Sequence, residues 1–223
     1  GAEVETSADS AATARLPIAS HQARITEAIR NHTVTVIEGG TGCGKSSQVP
    51  QFILDDPLID GCRHPNVLVT QPRCVAAVAL AKRVAFERGE LVGETVGYRT
   101  GQSFNVSDRT TLTFVSTGWL LTWLSHNHED IGMFSHIVLD EVHERACDSD
   151  LVCLILRLVI EQQRQELWAH CGGSAAELEH ALEAKQRSGG QVQLDILSTL
   201  SSVERGRYKQ RSRVILMSTT RDV

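Results

Sequence analysis

The segment Gly39–Ser46, which reads Gly-Gly-Thr-Gly-Cys-Gly-Lys-Ser, is the feature that most limits what this 223-residue chain can fold into. It fits the pattern G-x-x-x-x-G-K-[ST] in full. A β-branched run over Val34–Glu38 precedes it, and a helical pattern over Lys45–Leu54 follows it. Glycines let successive backbone N–H groups point at phosphate oxygens, and the N-terminus of the next helix adds positive dipole charge. Strand, loop and helix together predict a phosphate-binding loop.

The same loop predicts the cofactors, which are ATP or another NTP together with Mg²⁺. Lys45 supplies a cation for the β- and γ-phosphates, and the Ser46 hydroxyl is a ligand for Mg²⁺. A GTPase is not supported, because the sequence contains no Asn-Lys-x-Asp guanine-reading motif. The residues that we expect to contact the phosphates are Gly39, Thr41, Gly42, Cys43, Gly44, Lys45, Ser46 and Ser47.

A second pattern places two carboxylates at the end of an apolar strand over His136–Asp140. In open α/β sheets, ligands bind outside the carboxyl ends of the strands, so Asp140 and Glu141 are expected to reach the same crevice as Lys45. Mg²⁺ prefers carboxylate oxygens, and Glu141 has the chemistry to orient the water that attacks a γ-phosphate. The simpler alternative is a charged turn in which Asp140 only caps a helix.

Short β-branched runs alternate with helical patterns along the chain, which predicts an α/β fold with a mostly parallel central sheet and helices on both faces. Hydrophobic residues make up 41% and charged residues 22%, which excludes a mainly disordered or collagen-like chain. The richest apolar stretch, Leu151–Ile160, is too short to span a membrane. The other predicted strands are Asn66–Thr70, Thr111–Val115 and Arg213–Met217, and the other predicted helices are Ser20–Arg30 (capped by Ser20), Val75–Arg88, Gly118–Ser125 (capped by Thr117) and Asp150–Glu166.

Two segments depart from this alternation. Residues 1–15 are rich in Ala, Ser, Thr and Glu, and we expect a flexible N-terminal arm. Residues 170–212 separate a helix from the last strand where 2–6 residues are usual, so we expect an insertion in a domain that covers 16–223. The insertion ends in a basic run, Arg205–Arg213, which is either a solvated charge run or an auxiliary RNA or partner contact.

Net charge and cysteine content limit the binding partners and the cellular compartment that we expect. The net charge of −5 gives no general electrostatic attraction to nucleic acid, so binding would depend on local basic groups. The six cysteines form no C-x-x-C pair, which disfavours a zinc site, and nothing in their spacing indicates a disulfide framework. We expect an intracellular protein; the sequence does not distinguish nucleus, cytoplasm and mitochondrion.

Taken in their order along the chain, these motifs resemble those of the first RecA-like domain of a DEAH/RHA-type (DExH-box) RNA helicase of superfamily 2. Asp140-Glu141-Val142-His143 resembles the D-E-x-H motif, and the phosphate loop resembles motif I. The resemblance runs from about Leu16 to Thr220, apart from the insertion. The remaining matching segments are Thr70-Gln71-Pro72-Arg73 (motif Ia), Ser116-Thr117-Gly118 (motif Ib) and Met217-Ser218-Thr219-Thr220 (motif III).

The resemblance implies a RecA-like P-loop NTPase domain, from a family that couples ATP hydrolysis to movement along single-stranded RNA. Lys45, Asp140, Glu141 and His143 would carry the catalytic functions, with Ser46, Asp140 and Glu141 at the metal. Arg83 would stack on the nucleotide base, Arg73 and Thr117 would contact the RNA backbone, and Ser218 and Thr220 would couple hydrolysis to unwinding. On the sequence pattern alone, without the resemblance, Arg83 and Arg73 can also be interpreted as solvated surface charges.

This sequence departs from the family pattern at several points. Thr219 stands where the family has Ala, and Cys74 stands where a second Arg is common. The 223 residues contain no second RecA-like domain and no motifs IV to VI, so we expect the arginine fingers and the rest of the RNA channel to come from further domains. The expected partners are single-stranded RNA and those domains, with no membrane. The alternative function is a catalytically weak, nucleotide-dependent RNA-binding or scaffold module.

Overall fold

The computed structural model describes residues 16–56, 65–170 and 213–219; the side chains at 128, 129, 164 and 166–170 are not described. The predicted arm, most of the predicted insertion and Thr220 lie outside the described residues. The strands are β1 Val34–Gly39, β2 Val67–Gln71, β3 Val96–Arg99, β4 Phe104–Asn105, β5 Leu112–Ser116, β6 His136–Leu139 and β7 Arg213–Thr219. The helices are α1 Gln22–Asn31, α2 Lys45–Asp55, α3 Cys74–Glu87, α4 Thr117–Asn127 and α5 Cys147–His170, with 3-10 turns at Pro17–His21, His128–Met133 and Val142–Glu144.

Within the described residues, seven strands form one sheet in the order β1-β7-β6-β2-β5-β3-β4. Every neighbouring pair is parallel except β3 and β4, which form an antiparallel edge. All five residues of β2 are buried, as expected for a central strand that is covered on both faces. The parallel arrangement brings the carboxyl ends of β1, β7, β6, β2 and β5 to one edge of the sheet.

The hydrophobic core cluster packs α1, α2 and α3 on one face of the sheet. Alternate residues of the strands point into it, for example Val67 and Val69 of β2, whereas Leu68 between them is buried outside it. Helix α4 packs on β5 and β2 and buries Leu120 and Leu124 outside the cluster. The predicted α/β class is confirmed: the fold is a mostly parallel sheet with helices, as in RecA-like domains.

The structure corrects several local predictions. Strands β3 and β4 were not predicted, because one has only four residues and the other two. The first helix begins at Gln22, after a 3-10 turn in which the Ser20 hydroxyl donates to the carbonyl of Pro17. Ser20 therefore does not cap this helix.

Thr117 is the first residue of α4 and not its cap. Its buried hydroxyl donates to the carbonyl of Gln71 at 3.2 Å, which joins the carboxyl ends of β5 and β2.

The described residues belong to two compact units, one containing 16–152 and 213–219 and the other 153–170. Helix α5 begins in the first unit and continues into the second. All of the predicted site residues that the structure describes belong to the first unit. Within the described ranges, no helix combines the length and the apolar character needed to cross a lipid bilayer.

Candidate nucleotide-binding site

The strand order places the predicted motifs side by side along one edge of the sheet. The phosphate loop follows β1, Ser218 and Thr219 end β7, and Asp140 and Glu141 follow β6. Gly39 and Thr219 are register partners on the adjacent strands β1 and β7. Segments that are about a hundred residues apart in sequence therefore meet in one crevice.

The phosphate loop is shaped by glycine and by contacts with the preceding turn. Gly44 has a φ of 99°, and a Cβ there would lie 3.0 Å from Leu16 Cδ1, so only glycine suits this position. The amide of Ile18 donates to the carbonyl of Cys43 at 3.2 Å. Leu16 and Ile18, in the turn before α1, thus contact the phosphate loop.

Lys45 is largely buried, and its ammonium group lies inside the curve of the loop. The Nζ atom donates to the carbonyls of Gly39 at 2.5 Å and Gly40 at 3.0 Å, and lies 3.7 Å from Cys43 Sγ. A cation held this way is directed at the loop's interior, where phosphate oxygens would compete for the same donors.

Asp140 is buried, and its carboxylate joins the acidic motif to the end of β2. Its Oδ2 accepts from Gln71 Nε2 at 2.5 Å, and its Oδ1 accepts from the Glu141 amide at 2.9 Å. Burial raises the pKa of Asp140, and the charge of Glu141 adds to this effect, whereas the hydrogen bonds from Ser46, Gln71 and the Glu141 amide lower it. Together, these effects raise the pKa of Asp140.

Glu141 and His143 meet the last residue of β7. Glu141 has a φ of 56°, an uncommon conformation for a residue other than glycine. Its Oε2 lies 3.3 Å from His143 Nδ1 and accepts from Thr219 Oγ1 at 3.3 Å. The Thr219 amide lies 3.3 Å from His143 Nδ1, where it donates a hydrogen bond. The acidic motif and the predicted coupling motif are therefore in direct contact.

Arg83 lies on α3, where its Nε donates to Glu87 Oε1 at 2.8 Å. The other oxygen of Glu87 accepts from Gln48 Nε2 at 2.9 Å and Gln51 Nε2 at 2.8 Å. Both glutamines lie on α2, the helix that directly follows the phosphate loop. The arginine side chain remains 56% exposed, so its guanidinium face is accessible while Glu87 restricts its position.

The two predicted RNA contacts differ in exposure. The side chain of Arg73 is 80% exposed just before α3, with its nearest acidic partner, Glu144 Oε1, at 3.8 Å. Thr117 is buried, as described above, and its hydroxyl is already used in bonding Gln71. Arg73 offers an exposed positive charge at the carboxyl edge, whereas Thr117 offers little surface.

Sequence reasoning did not single out Gln71 or Glu87, although both organise predicted site residues. The available signal for Gln71 was its place in the Thr70–Arg73 motif directly after an apolar strand. Glu87 lies four residues after Arg83, the spacing that brings two side chains together on a helix.

The oxygen groups present fit Mg²⁺ bound through a nucleotide. The Ser46 hydroxyl and the Asp140 carboxylate are oxygen groups of this kind, and Glu141 is the next residue. Among the described residues, no group of three or more His, Cys, Asp or Glu side chains could hold a metal ion. Mg²⁺ commonly takes one or two carboxylates and completes its shell with water and substrate phosphates, so a small donor set is what such a site requires.

Comparisons with known proteins find relatives for about two thirds of the chain. It is 43% identical over 150 residues to the probable ATP-dependent RNA helicase spindle-E of Anopheles gambiae, which is 67% of this chain and 10% of the relative. It is 44% identical over 149 residues to the putative ATP-dependent RNA helicase DHX57 of Homo sapiens, or 66% of this chain and 11% of the relative. It is also 43% identical over 152 residues to the probable ATP-dependent RNA helicase DHR2 of Saccharomyces cerevisiae, or 68% of this chain and 20% of the relative.

The chain thus spans between a tenth and a fifth of the length of these curated relatives. No protein-family model matches the chain.

Proposed function

This chain belongs to the DExH-box family of ATP-dependent RNA helicases, and from that premise we propose that it is the first RecA-like domain of such a protein, binds ATP with Mg²⁺ and hydrolyses it as part of an RNA motor. The observation that carries the proposal is the strand order, which places the phosphate loop after β1 and the acidic motif after β6, on either side of β7 at one edge of the sheet. It joins the two halves of an NTP-hydrolysing site in one crevice. The relatives' names support ATP and RNA as the substrates.

In the proposed complex, the loop amides and Lys45 hold the β- and γ-phosphates. Lys45 exchanges its two carbonyl partners, on Gly39 and Gly40, for phosphate oxygens. A phosphate oxygen is the stronger acceptor because it carries charge. This exchange keeps the ammonium paired before and after binding, so little desolvation cost is added when the nucleotide arrives.

Ser46 and Asp140 are the proposed holders of Mg²⁺, with Glu141 beside them. When bound, Mg²⁺ neutralises charge on the phosphate oxygens. Asp140 is buried and is fixed by Gln71 and by the backbone of Glu141, so its carboxylate is already oriented. Gln71 therefore serves the site by positioning Asp140.

Glu141 is the proposed group that orients the attacking water. Catalysis of phosphoryl transfer depends on positioning and on stabilising charge at the γ-phosphoryl oxygens, and a carboxylate near the in-line position does the first. The side chain of Glu141 is 34% exposed, so water can reach it. His143 contacts it from the side and connects it with β7.

Arg83 is proposed to stack on the nucleotide base. Glu87 and the two α2 glutamines restrict it, while its guanidinium face stays exposed. A planar guanidinium recognises a ring by stacking and offers few contacts that distinguish one base from another. We therefore expect weak selectivity between ATP and GTP.

Single-stranded RNA is the proposed second substrate, contacted through its backbone by Arg73 and by Thr117. The exposed charge of Arg73 supports the first contact. The burial of Thr117 limits it to a backbone or van der Waals contact. Such contacts position a strand without reading its sequence.

We also propose that full activity needs a second RecA-like domain. An arginine supplied opposite the γ-phosphate is worth about 10³–10⁵ in rate. Arg145, the described arginine nearest in sequence to the acidic motif, is paired with Asp150 at 3.1 Å. We propose that the catalytic arginine comes from the second domain.

The test compares ATP turnover by this chain alone and by the chain joined to a second RecA-like domain, each with and without single-stranded RNA. We expect slow turnover alone and RNA-stimulated turnover in the joined form. Turnover near 1 s⁻¹ by the chain alone would contradict the division between two domains. Binding of ATP and RNA without turnover in the joined form would instead indicate the weak binding or scaffold module.

A further inference from the structure

Thr219, the last residue of β7, donates to two functional side chains of the acidic motif, Glu141 and His143. Its amide donates to His143 Nδ1, and its hydroxyl donates to Glu141 Oε2, each at 3.3 Å. Strand β7 lies between β1 and β6, so its carboxyl end is fixed between the phosphate loop and the acidic motif. One residue thus contacts two side chains that the proposed reaction uses.

The two hydrogen bonds assign separate duties to the atoms involved. An imidazole nitrogen that accepts from the Thr219 amide must carry a lone pair, so Nδ1 cannot at the same time donate to Glu141. The Thr219 hydroxyl is then the donor to Oε2, although His143 Nδ1 lies equally near. Any residue at position 219 except proline would supply the amide, but the hydroxyl requires Thr or Ser.

Glu141 needs such a restraint, because its side chain is partly exposed. Its backbone is fixed in the left-handed region, and its amide donates to Asp140. Within the described part of the chain, the hydrogen bond that holds its carboxylate comes from the Thr219 hydroxyl and falls on Oε2. Holding one oxygen leaves Oε1 to accept from water.

We propose that Thr219 is a positioning residue for Glu141: its hydroxyl holds Oε2 so that Oε1 faces the attacking water. Threonine suits this task, because its β-branch restricts χ1 and so fixes the direction of the hydroxyl. The proposal rests on the proposed function of Glu141. It assigns a duty to the residue at which this sequence departs from the Ala of the family pattern.

The first test reads the hydrogen bond without any nucleotide. The Glu141 side-chain carboxyl carbon is observed by NMR in the glutamate-labelled chain and is assigned by its loss in Glu141→Gln. We expect Thr219→Ala and the isosteric Thr219→Val to shift this signal, and Thr219→Ser to leave it near its original position. An unmoved signal in the Ala and Val variants would overturn the proposal.

The second test measures ATP hydrolysis with enzyme in excess over ATP, which separates the rate constant of the chemical step from half-saturation. We expect Thr219→Ala and Thr219→Val to lower the rate constant by about 3- to 10-fold, the usual range for one hydrogen bond. Half-saturation should stay within about twofold, and Thr219→Ser should restore the rate. An unchanged or faster rate in the Ala variant would overturn the proposal.

Glu141→Gln separates the two levels of failure. If this variant loses hydrolysis while the Thr219 variants hydrolyse ATP normally, only the positioning duty of Thr219 is refuted. If it hydrolyses ATP as fast as the unmodified chain, the proposed function of Glu141 fails, and the inference about Thr219 fails with it.

Discussion

Acid should destabilise this protein through His136, a histidine at the start of the central strand β6. Its side chain is completely buried, its Nδ1 lies 2.9 Å from Ser135 Oγ, and in the described part of the chain its Nε2 has no hydrogen-bond partner. Burial, helped by the positive charge of Arg213, lowers the pKa of His136 from 6.5 to about 3. The folded protein therefore holds this imidazole neutral over the whole physiological range.

The sign and size of the effect follow from proton linkage. Below pH 6.5 the unfolded chain binds a proton at His136 that the folded chain excludes, so the free energy of unfolding falls as the pH falls. The slope is about 1.4 kcal/mol per pH unit until the pH reaches the folded pKa of about 3. Between pH 6.5 and pH 5, this group alone should remove about 2 kcal/mol.

Urea denaturation at pH 7 and pH 5 measures this loss. His136→Phe removes the titrating group and keeps a planar ring, and His136→Leu offers a second apolar replacement. We expect the decrease in unfolding free energy between the two pH values to be smaller by about 2 kcal/mol in these variants. The matched control is His21→Phe at an exposed histidine, which should leave the decrease unchanged. Equal decreases in the chain with and without His136 would refute the reasoning.

Three further outcomes are expected. Lys45→Ala should weaken binding of ATP with Mg²⁺ by about 10- to 100-fold in calorimetry, because a charge-assisted contact is lost; equal affinity would contradict the site. Gly97→Ala should lower stability by about 1–3 kcal/mol, because the added Cβ would lie 2.5 Å from the backbone oxygen of Asn105. The control Gly101→Ala places its Cβ in open space, and equal effects would refute the steric argument. RNA binding should be weak and fall steeply with salt, and Arg73→Ala should reduce the logarithmic salt slope by about 0.7; an unchanged slope would remove Arg73 from the interface.

The sequence predicted the parts of the site that consist of a strand followed directly by its functional residues. The phosphate loop after β1 and the carboxylates after β6 are of this kind, because a parallel sheet brings such strand ends together regardless of the intervening sequence. The contacts that orient these residues were not predictable in the same way. Gln71 and Thr219 contact side chains that follow β6, and Glu87 contacts glutamines of α2 as well as Arg83 of its own helix.

The misassigned details also have physical causes. Strands β3 and β4 have too few residues to show a period of two, and Gly97 is a poor indicator of a strand. Threonine is a common helix cap, but the hydroxyl of Thr117 instead donates to the carbonyl of Gln71 at the end of β2. The complete burial of His136 depends on strand order, which its own sequence context does not reveal.

The central claim is that Lys45, Asp140 and Glu141 form one site for ATP hydrolysis, and Glu141→Gln tests it most directly. The substitution keeps the size of the side chain and removes the carboxylate that orients water. In a single-turnover assay with [γ-³²P]ATP, we expect the affinity for ATP to stay within about threefold and the hydrolysis rate to fall by about 10²-fold or more. The control is Glu94→Gln, at an exposed glutamate away from the site, which should hydrolyse ATP at the unmodified rate. Hydrolysis by Glu141→Gln at the rate of the unmodified chain would contradict the account.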